Sequence, residues 1–356
     1  MQKNKALDAF NALIKTAEKG FENLPESAFV ASQILIVRNV EGLPFRDYNH
    51  VPATTLRDDL LRLLESQSVL EKWHFVPSEK LCKNNYARVA ELHLFDDKGT
   101  PEIIIEPATK PTIAIYVNAR DNLQFVACGN ENNVKTLIRQ YKKLAGTVDA
   151  LDKTLHFAQT PTLGYLTSSP EMVGNAVSLQ ALLHLPALVM NDEMSRVVMA
   201  CNAVGVRVRG LSLKDDESSG CYFTLETSRM LGTTPQELIT KFSDLCETIC
   251  TQEKKARQNL ADDDRLFLRV QDCYSQARFC SSFTLEQALN VMTLLKLGVE
   301  VGYLDAVLKI ELEALLPKVL ESAFPQNTSP EERTAARATL INEILEGVPA
   351  PKRLKK

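Results

Sequence analysis

Residues 112–128 have the sequence TIAIYVNARDNLQFVAC, in which two apolar runs enclose the polar segment 118–122. Isoleucine, valine, tyrosine and phenylalanine, which dominate the two runs, are favoured in β-strands. A short polar segment between two such runs is typical of neighbouring antiparallel strands. The stretch therefore predicts strands at 112–117 and 123–128 that pair through the turn 118–122.

The sequence on both sides of this pair predicts further strands with helices between them. Apolar residues at helical spacing predict helices at 7–21, 55–70 and 134–151. Two apolar runs around the turn-rich segment 96–99 predict a second hairpin of 91–95 with 103–105. The remaining predicted strands are 29–37, 164–167, 179–185, 205–211 and 221–227. Since no regular strand–helix alternation is present, the pattern favours an α+β fold with an antiparallel sheet over a parallel one.

From about residue 235 the sequence becomes helical. The predicted helices are 238–260, 266–277, 285–297, 304–320 and 331–345. Thr328 or Ser329 is suited to cap the last helix, with Pro330 in its first turn. A length of 356 residues suggests two or three domains. The expected division is an N-terminal helical part at 1–75, a sheet domain at 76–260 and a helical domain at 261–356.

Composition and charge exclude several classes of function. The chain carries 41 Lys and Arg against 45 Asp and Glu, a formal net charge of −4, and nucleic-acid-binding proteins are usually basic. No apolar run approaches the roughly 18 residues that span a membrane, and the start lacks the apolar core of a signal peptide. We therefore expect a cytoplasmic protein with no nucleic-acid or membrane partner.

The eight cysteines point to reduced thiols. A long chain without a secretion signal and with enough apolar residues for a core has little need of disulfides. No CxxC pair occurs and no spacing suits zinc. The sequence accordingly predicts no metal site.

Several stretches resemble the ATP:guanido phosphotransferases, and in particular the bacterial protein-arginine kinases. The segments 162–170 (TLGYLTSSP), 184–188 (HLPAL) and 208–211 (VRGL) resemble loops and strands of the family's catalytic domain. The segments 275–303 and 332–338 resemble the helical domain of the bacterial protein kinases. In all, the resemblance covers about residues 29–346. It implies a small N-terminal helical part, a large antiparallel sheet flanked by helices, a helical C-terminal domain and a homodimer.

Moving a phosphoryl group from ATP to a guanidinium needs positive charge around the triphosphate and a carboxylate near the acceptor nitrogen. The resemblance places the family's two catalytic glutamates at Ala119 and Arg120, and its reactive cysteine at Ser169. It also matches Ile34 and Ile36 to two arginines that face the phosphates in the family. The sequence therefore departs from the family at its catalytic positions.

The nucleotide contacts that the resemblance implies are only partly retained. His93 and Arg209 keep the residue types of the family, although His93 is equally compatible with an ordinary core or surface histidine. Gln124 and Ser178 stand where the family has arginines. Lys214, Arg207 or Arg120 either compensate for these losses or are plain surface charges.

A second resemblance concerns the C-terminal helix. Arg333 and Arg337 lie one helical turn apart, a spacing at which two guanidinium groups can grip one phosphate. Together with Thr334 they match the family's phosphoarginine-binding motif, in which Thr334 replaces an aspartate. The alternative is a solvated helix face next to Glu331 and Glu332.

These observations predict a protein-arginine-kinase-like pseudokinase that acts as a binding or regulatory partner, with no cofactor of its own. Its partners would be an activator, an active kinase relative, a client protein or a Clp-type protease chaperone, within arginine-phosphorylation quality control. Two alternatives stay open. One is an active kinase with a rewired site that uses ATP and Mg, and the other is a reader of arginine-phosphorylated proteins.

Overall fold

The fold is taken from a computed structural model. It describes residues 6–22, 28–45, 53–92, 100–107, 112–129, 134–210, 219–228, 232–260 and 263–353.

The described residues contain one large sheet and one small one. Eight strands form the large sheet in the order β2-β3-β4-β5-β1-β8-β10-β9, and β6 pairs with β7. The strands are β1 (Phe29–Arg38), β2 (His74–Val76), β3 (Glu102–Ile105), β4 (Thr112–Val117), β5 (Leu123–Gly129), β6 (Gln159–Thr160), β7 (Gly164–Tyr165), β8 (Val177–His184), β9 (Val206–Gly210) and β10 (Tyr222–Thr227). The α+β fold class predicted from the sequence is confirmed.

The strand pair around the turn 118–122 forms as predicted. β4 and β5 pair antiparallel, with Ile113 opposite Ala127 and Ile115 opposite Phe125. All four of these side chains are buried. β1 joins the other side of β5 in antiparallel register, so β5 lies between two strands whose ends lead into the candidate site.

Eleven α-helices accompany the sheets in the described residues. They are α1 (Ala6–Glu22), α2 (Ala53–Glu65), α3 (Lys83–Glu91), α4 (Thr136–Leu155), α5 (Pro186–Met190), α6 (Met194–Ala203), α7 (Pro235–Leu260), α8 (Asp264–Phe279), α9 (Leu285–Glu300), α10 (Val307–Val319) and α11 (Pro330–Ile344). The predicted C-terminal helices are confirmed. Ser329 is the N-cap of α11 and forms a capping box with Glu332.

The predicted hairpin of 91–95 with 103–105 is wrong. Glu91 ends helix α3, and 93–99 lie outside the described residues. β3 pairs with β2 on one side and with β4 on the other. Helix α3 was missed because only Tyr86 and Val89, three residues apart, give it a buried apolar face.

The chain divides into two compact units. The first comprises Met1–Ala17, Ser32–Gln180 and Glu226–Asp244, and the second comprises Glu18–Ala31, Ala181–Leu225 and Leu245–Lys356. In the first unit, α4 packs on β5 and α2 on β4. The domain boundaries expected at residues 75 and 260 stay predictions.

In the second unit, α9 is the central helix and packs against α8, α10 and α11. Its sequence is apolar on most sides, as expected of a helix surrounded by neighbours. The turn at 219–221 also lies on α9, where Gly220 has φ +65°. A Cβ added to Gly220 would lie 2.8 Å from Cβ of Leu289, so this close approach requires glycine.

Buried charges also hold the second unit together. Arg257 donates to Oε1 of Glu253 over 2.6 Å, to Oε2 of Glu300 over 2.8 Å and to the carbonyl O of His184 over 2.8 Å. Burial alone would lower the pKa of Arg257, but the carboxylates of Glu300 and Glu253 raise it overall. The guanidinium is therefore charged and joins α7 to α9 and to the end of β8.

Glu253 has a second structural role at the start of α5. Its carboxylate is fully buried and accepts hydrogen bonds from the backbone N of Ala187 over 3.0 Å and of Leu188 over 2.9 Å. Backbone donors in the first turn of a helix otherwise lack partners. A single buried carboxylate thus accepts hydrogen bonds from the first turn of α5 and also forms an ion pair with Arg257.

The cysteines are free thiols, as predicted. All eight lie in described residues and none is disulfide-bonded; Cys82 and Cys280 are exposed. Burial raises the pKa of Cys201 to about 11 and that of Cys273 to about 12. In the described part of the chain, none of the helices is both long and apolar enough to cross a membrane.

Candidate functional site

The candidate site lies in the first unit, where the turn between β4 and β5 meets the end of β1. Asn39 follows β1 directly, and its Nδ2 donates to Oδ1 of Asp121 over 2.7 Å. Its Oδ1 accepts from the backbone N of Asn122 over 2.8 Å. Asn122 in turn bonds to the residue after Asn39: its Oδ1 accepts a hydrogen bond from the backbone N of Val40 over 2.9 Å. The two buried asparagines therefore fix the turn against β1 reciprocally.

The segment 166–170 approaches the same turn. The backbone N of Ser168 donates to Oδ1 of Asp121 over 2.6 Å, and its hydroxyl donates to the carbonyl O of Arg120 over 3.2 Å. The Nδ2 of Asn39 also donates to the carbonyl O of Leu166 over 3.1 Å. Asn39, 118–122 and 166–170 are referred to below as the loop cluster.

The loop cluster brings together the three positions that the sequence matched to catalytic residues. Ala119 is fully buried, Arg120 is exposed and Ser169 is half-buried. The only carboxylate in 118–122 and 166–170 is that of Asp121. Asp121 is 3% exposed, and its Oδ1 accepts two hydrogen bonds from the protein itself. The loop cluster therefore offers no exposed carboxylate to deprotonate a guanidinium.

The positions matched to phosphate-facing arginines are apolar and belong to the core. Ile34 and Ile36 are 0% and 1% exposed, and they lie opposite Ala127 and Phe125 of β5. Two further matched positions, Gln124 and Ser178, are neutral and also buried. None of the four side chains carries the charge that would offset a phosphate.

The family-matched residues do not fit a magnesium-bound triphosphate. Such a group needs cations and hydrogen-bond donors directed at its oxygens, together with oxygen ligands for the metal. The matched positions on β1, β5 and β8 supply apolar or neutral buried side chains instead. Among the described residues, no cluster of three or more His, Cys, Asp or Glu side chains is arranged to hold a metal ion.

Arg38, at the end of β1, does not replace the missing arginines. Its guanidinium lies 3.4 Å from the ring centroid of Tyr165, and its Nη1 donates to the carbonyl O of Val37 over 2.7 Å and of Asn175 over 3.4 Å. Burial lowers the pKa of Arg38, although attraction to Tyr165 opposes the shift. The side chain is 6% exposed, so it binds protein groups rather than a ligand in solvent.

The other predicted nucleotide contacts are not part of the loop cluster. Arg207 and Arg209 lie on β9 in the second unit, where both are exposed. Because they are two residues apart on a strand, they share one face. His93 and Lys214 lie outside the described residues.

The sequence did not single out Asn39, Asn122 or Ser168, although these residues organise the loop cluster. Asn39 and Asn122 carry one detectable signal, since each is a polar residue directly next to an apolar strand run. Their reciprocal bonds join positions about eighty residues apart. No pattern of local spacing reveals such a pair.

The two arginines of the C-terminal motif lie in the second unit and share one carboxylate. Arg333 Nη1 lies 3.1 Å from Oε2 of Glu321, and Arg337 Nη2 lies 2.6 Å from Oε1 of the same side chain. Arg337 is only 2% exposed. Its Nε donates to the carbonyl O of Val319 over 2.7 Å, and its guanidinium lies 5.1 Å from the ring of Phe324. Glu321 thus binds both arginines in the manner that the motif would bind a phosphate.

Thr334 makes local contacts. Its hydroxyl donates to the carbonyl O of Glu331 over 2.8 Å, and its carbonyl accepts from the backbone N of Phe283 over 2.9 Å. The sequence left open that this side of α11 is simply solvated. That description is correct for Glu331 and Glu332, which are exposed. It does not hold for Arg337, which is a buried residue that connects α11 to the end of α10. Phosphoarginine binding by Arg333, Thr334 and Arg337 stays a prediction.

The sheet, its helices and the loop cluster form a phosphotransferase-type catalytic domain. A family model described as "ATP:guanido phosphotransferase, C-terminal catalytic domain" matches residues 64–256, which is more than half of the chain. The chain therefore belongs to the ATP:guanido phosphotransferase family.

Within this family, the chain is similar to bacterial proteins named protein-arginine kinase. It is 26% identical over 339 residues to the protein of Clostridium acetobutylicum, covering 89% of this chain and 95% of that protein. It is 27% identical over 338 residues to the protein of Symbiobacterium thermophilum, covering 89% and 92%. The chain is thus protein-arginine-kinase-like over most of its length.

Solved structures agree on the fold. Lombricine kinase matches with a TM-score of 0.51 at 14% identity, covering 71% of this chain and 79% of that one. The substrate-free duplicated taurocyamine kinase of Schistosoma mansoni matches with a TM-score of 0.54 at 19% identity. That match covers 77% of this chain, which spans 40% of the longer duplicated chain.

Proposed function

We propose that this chain is a pseudokinase of the protein-arginine kinase type, which acts by binding other proteins rather than by transferring phosphate. Its role would be that of a regulatory partner in arginine phosphorylation and Clp-protease quality control. Its partners would be an activator, an active kinase relative or a Clp-type chaperone.

One observation carries the proposal: hydrogen bonds hold the loop cluster together, while the residues matched there to catalytic positions lack the groups that phosphoryl transfer needs. The Oδ1 of Asp121 already accepts hydrogen bonds from Asn39 and Ser168. Ala119, at the position matched to the family's base, is fully buried. Losing a single charged donor from an active site costs on the order of 10²–10³ in rate. Here the base, the thiol and four matched arginines are replaced together, at Ile34, Ile36, Gln124 and Ser178. Although Arg209 is retained, most of the charged contacts that would hold a nucleotide are removed.

Preservation of the fold supports a binding role. A catalytic domain that keeps its sheet and its turns still presents surfaces of the family's shape to other proteins. Buried hydrogen bonds, such as those that Asn39 and Asn122 form with the backbone, maintain that shape without a ligand. A partner that recognises an active relative can therefore recognise this chain as well.

The test is titration of the full chain with ATP and magnesium by isothermal calorimetry, followed by phosphoarginine mass spectrometry on a mixed protein substrate. We expect no saturable ATP binding in the millimolar range and no phosphate on arginine. A bacterial protein-arginine kinase purified in the same way is the positive control. Tight ATP binding together with arginine phosphorylation would refute the proposal.

The alternative is an active protein-arginine kinase, and the names of the similar bacterial proteins favour it. In that case ATP would be held by arginines that the chain has, such as Arg120, Arg207 or Arg209, and not by residues at the positions of the missing arginines. Loss of phosphate transfer on replacing these exposed arginines would identify them. The same mass spectrometry separates the two functions.

A further inference from the structure

A short proline-rich segment, 348–353, follows α11 in the second unit and is called the strap below. Its sequence is VPAPKR, and it belongs to neither a helix nor a strand. Proline fixes its own φ near −65° and keeps the residue before it out of the helical region. Because Val348 and Ala350 each precede a proline, the first four residues of the strap are restricted to extended conformations such as polyproline II.

Burial along the strap repeats every three residues. Pro351 is buried and Val348 is half-buried, whereas Pro349, Ala350 and Lys352 are exposed. A polyproline II helix has three residues per turn, so Val348 and Pro351 project from the same side. That side of the strap therefore packs on the protein, and the other sides face solvent.

The strap runs antiparallel to α8. The Oη of Tyr274 donates to the carbonyl O of Val348 over 2.5 Å, and Nη1 of Arg353 lies 2.9 Å from Oδ1 of Asp264. In polyproline II conformation, the path from Val348 to Arg353 is roughly 15 Å long. The rise of α8 between Asp264 and Tyr274 is also roughly 15 Å. The extended strap thus fits this length of α8.

Aromatic side chains lie next to the basic end of the strap. The guanidinium of Arg353 lies 4.9 Å from the ring centroid of Phe267, and that ring meets the ring of Tyr303 edge to face with 5.2 Å between centroids. The backbone N of Lys352 donates to the carbonyl O of Tyr303 over 3.0 Å. The surface that holds the strap is called the α8 groove below, and it comprises Asp264, Phe267, Tyr274 and Tyr303.

The α8 groove has the chemistry by which proteins recognise proline-rich segments. Aromatic-lined grooves bind polyproline II segments because such segments are already ordered and lose little conformational entropy. A carboxylate at one end, here that of Asp264, selects a basic residue and sets the direction of the segment. The strap supplies a backbone carbonyl, a buried proline and an arginine, which a segment of another protein can supply equally well.

The basic end of the strap is weakly held. The side chains of Arg353 and Asp264 are 54% and 76% exposed, and ion pairs between exposed side chains contribute little to stability. Lys352 is exposed as well. The strap can therefore leave the α8 groove from this end without breaking a buried ion pair.

We propose that the α8 groove binds proline-rich basic segments of other proteins, and that the strap of the same chain fills it until such a segment takes its place. The recognised segment has an apolar residue, a proline three positions later and an arginine two positions after the proline, as in Val348, Pro351 and Arg353. This inference goes beyond the proposed function, because the α8 groove binds its segment whether or not the chain binds ATP.

The experiment measures the fluorescence anisotropy of a labelled peptide with the sequence of residues 346–354, EGVPAPKRL, added to the full chain. The variant Val348→Gly/Pro351→Gly removes both packed side chains of the strap and its restriction to extended conformations, so its α8 groove is more often open. An apparent Kd is the intrinsic Kd divided by the fraction of sites that are competent to bind. We therefore expect this double variant to bind the peptide roughly tenfold more tightly than the native chain does.

A charge exchange tests whether the peptide lies where the strap lies. Adding Asp264→Lys to the double variant should abolish binding of the peptide, and a peptide with glutamate in place of its arginine should bind instead. The control is Asp272→Lys in the same background, which makes the same change at an exposed residue on another side of α8. It should bind the original peptide as the double variant does, and thermal melting should show that all variants are folded.

Three outcomes would overturn the proposal. The first is that the double variant binds the peptide no more tightly than the native chain, which would make the strap a purely structural brace. The second is that Asp272→Lys weakens binding as much as Asp264→Lys does. The third is a dimer of the native chain that disappears in the double variant on size-exclusion chromatography, which would assign the α8 groove to the strap of a second copy.

Discussion

Replacing Arg257 by leucine removes the cation that neutralises two buried carboxylates. Its guanidinium donates to Glu253, to Glu300 and to the carbonyl O of His184. Glu253 is fully buried and the side chain of Glu300 is 12% exposed. Breaking a buried ion pair by removing one partner costs about 3–5 kcal/mol, because the remaining charge stays buried. We expect the free energy of unfolding to fall by that amount.

The assay is urea unfolding followed by far-UV circular dichroism. The control is Arg265→Leu, since Arg265 also makes an ion pair but is 89% exposed; it should unfold as the native chain does. The double variant Glu253→Gln/Arg257→Leu should be less destabilised than the sum of its single variants, because the buried negative charge is removed as well. A loss below about 1 kcal/mol in Arg257→Leu would refute the argument that this arginine holds α7, α9 and β8 together.

Three further predictions concern the same fold. Burial, reinforced by Lys296 and Arg257, lowers the pKa of His184 well below its usual value, so the unfolded chain binds the extra proton. Stability should therefore fall by roughly 1.4 kcal/mol per pH unit below about pH 6.5, and urea unfolding of His184→Gln should show a weaker dependence between pH 6.5 and 5.5. Gly220→Ala should lower the melting temperature more than Gly347→Ala, since both have positive φ but only Gly220 would place its Cβ against Leu289. Ala119→Glu should not produce phosphoarginine in a mass-spectrometric assay, because Ile34, Ile36, Gln124 and Ser178 stay uncharged at the matched phosphate-binding positions. Measurable turnover would show that the nucleotide site has been misplaced.

Local patterns predicted most of the regular structure. The pair β4–β5 and the helix α9 combine strong periodicity with clear end signals, such as the capping box of Thr284 and Gln287. The hairpin placed at 91–95 failed because its first residues complete α3 instead. Its short alternation of polar and apolar residues fits a strand as well as the end of a helix.

The positions of the loop cluster were predictable, but its bonds were not. Ala119, Arg120 and Ser169 were found by matching short segments in order along the chain. The partners of Asp121 come from residues 82 and 47 positions away. The bond of Arg257 to Glu300 likewise spans 43 residues. Such contacts depend on how the elements pack, and one sequence carries no local signal of them.

The carboxylate of Glu321 has a consequence for what α11 can sense. Because Glu321 belongs to the same chain as Arg333 and Arg337, it competes for them as if present at millimolar concentration or above. A phosphoarginine on another protein must displace this tethered competitor before it can bind. We therefore expect α11 to remain insensitive to the abundance of phosphorylated proteins around it, as a receptor with a built-in antagonist would be.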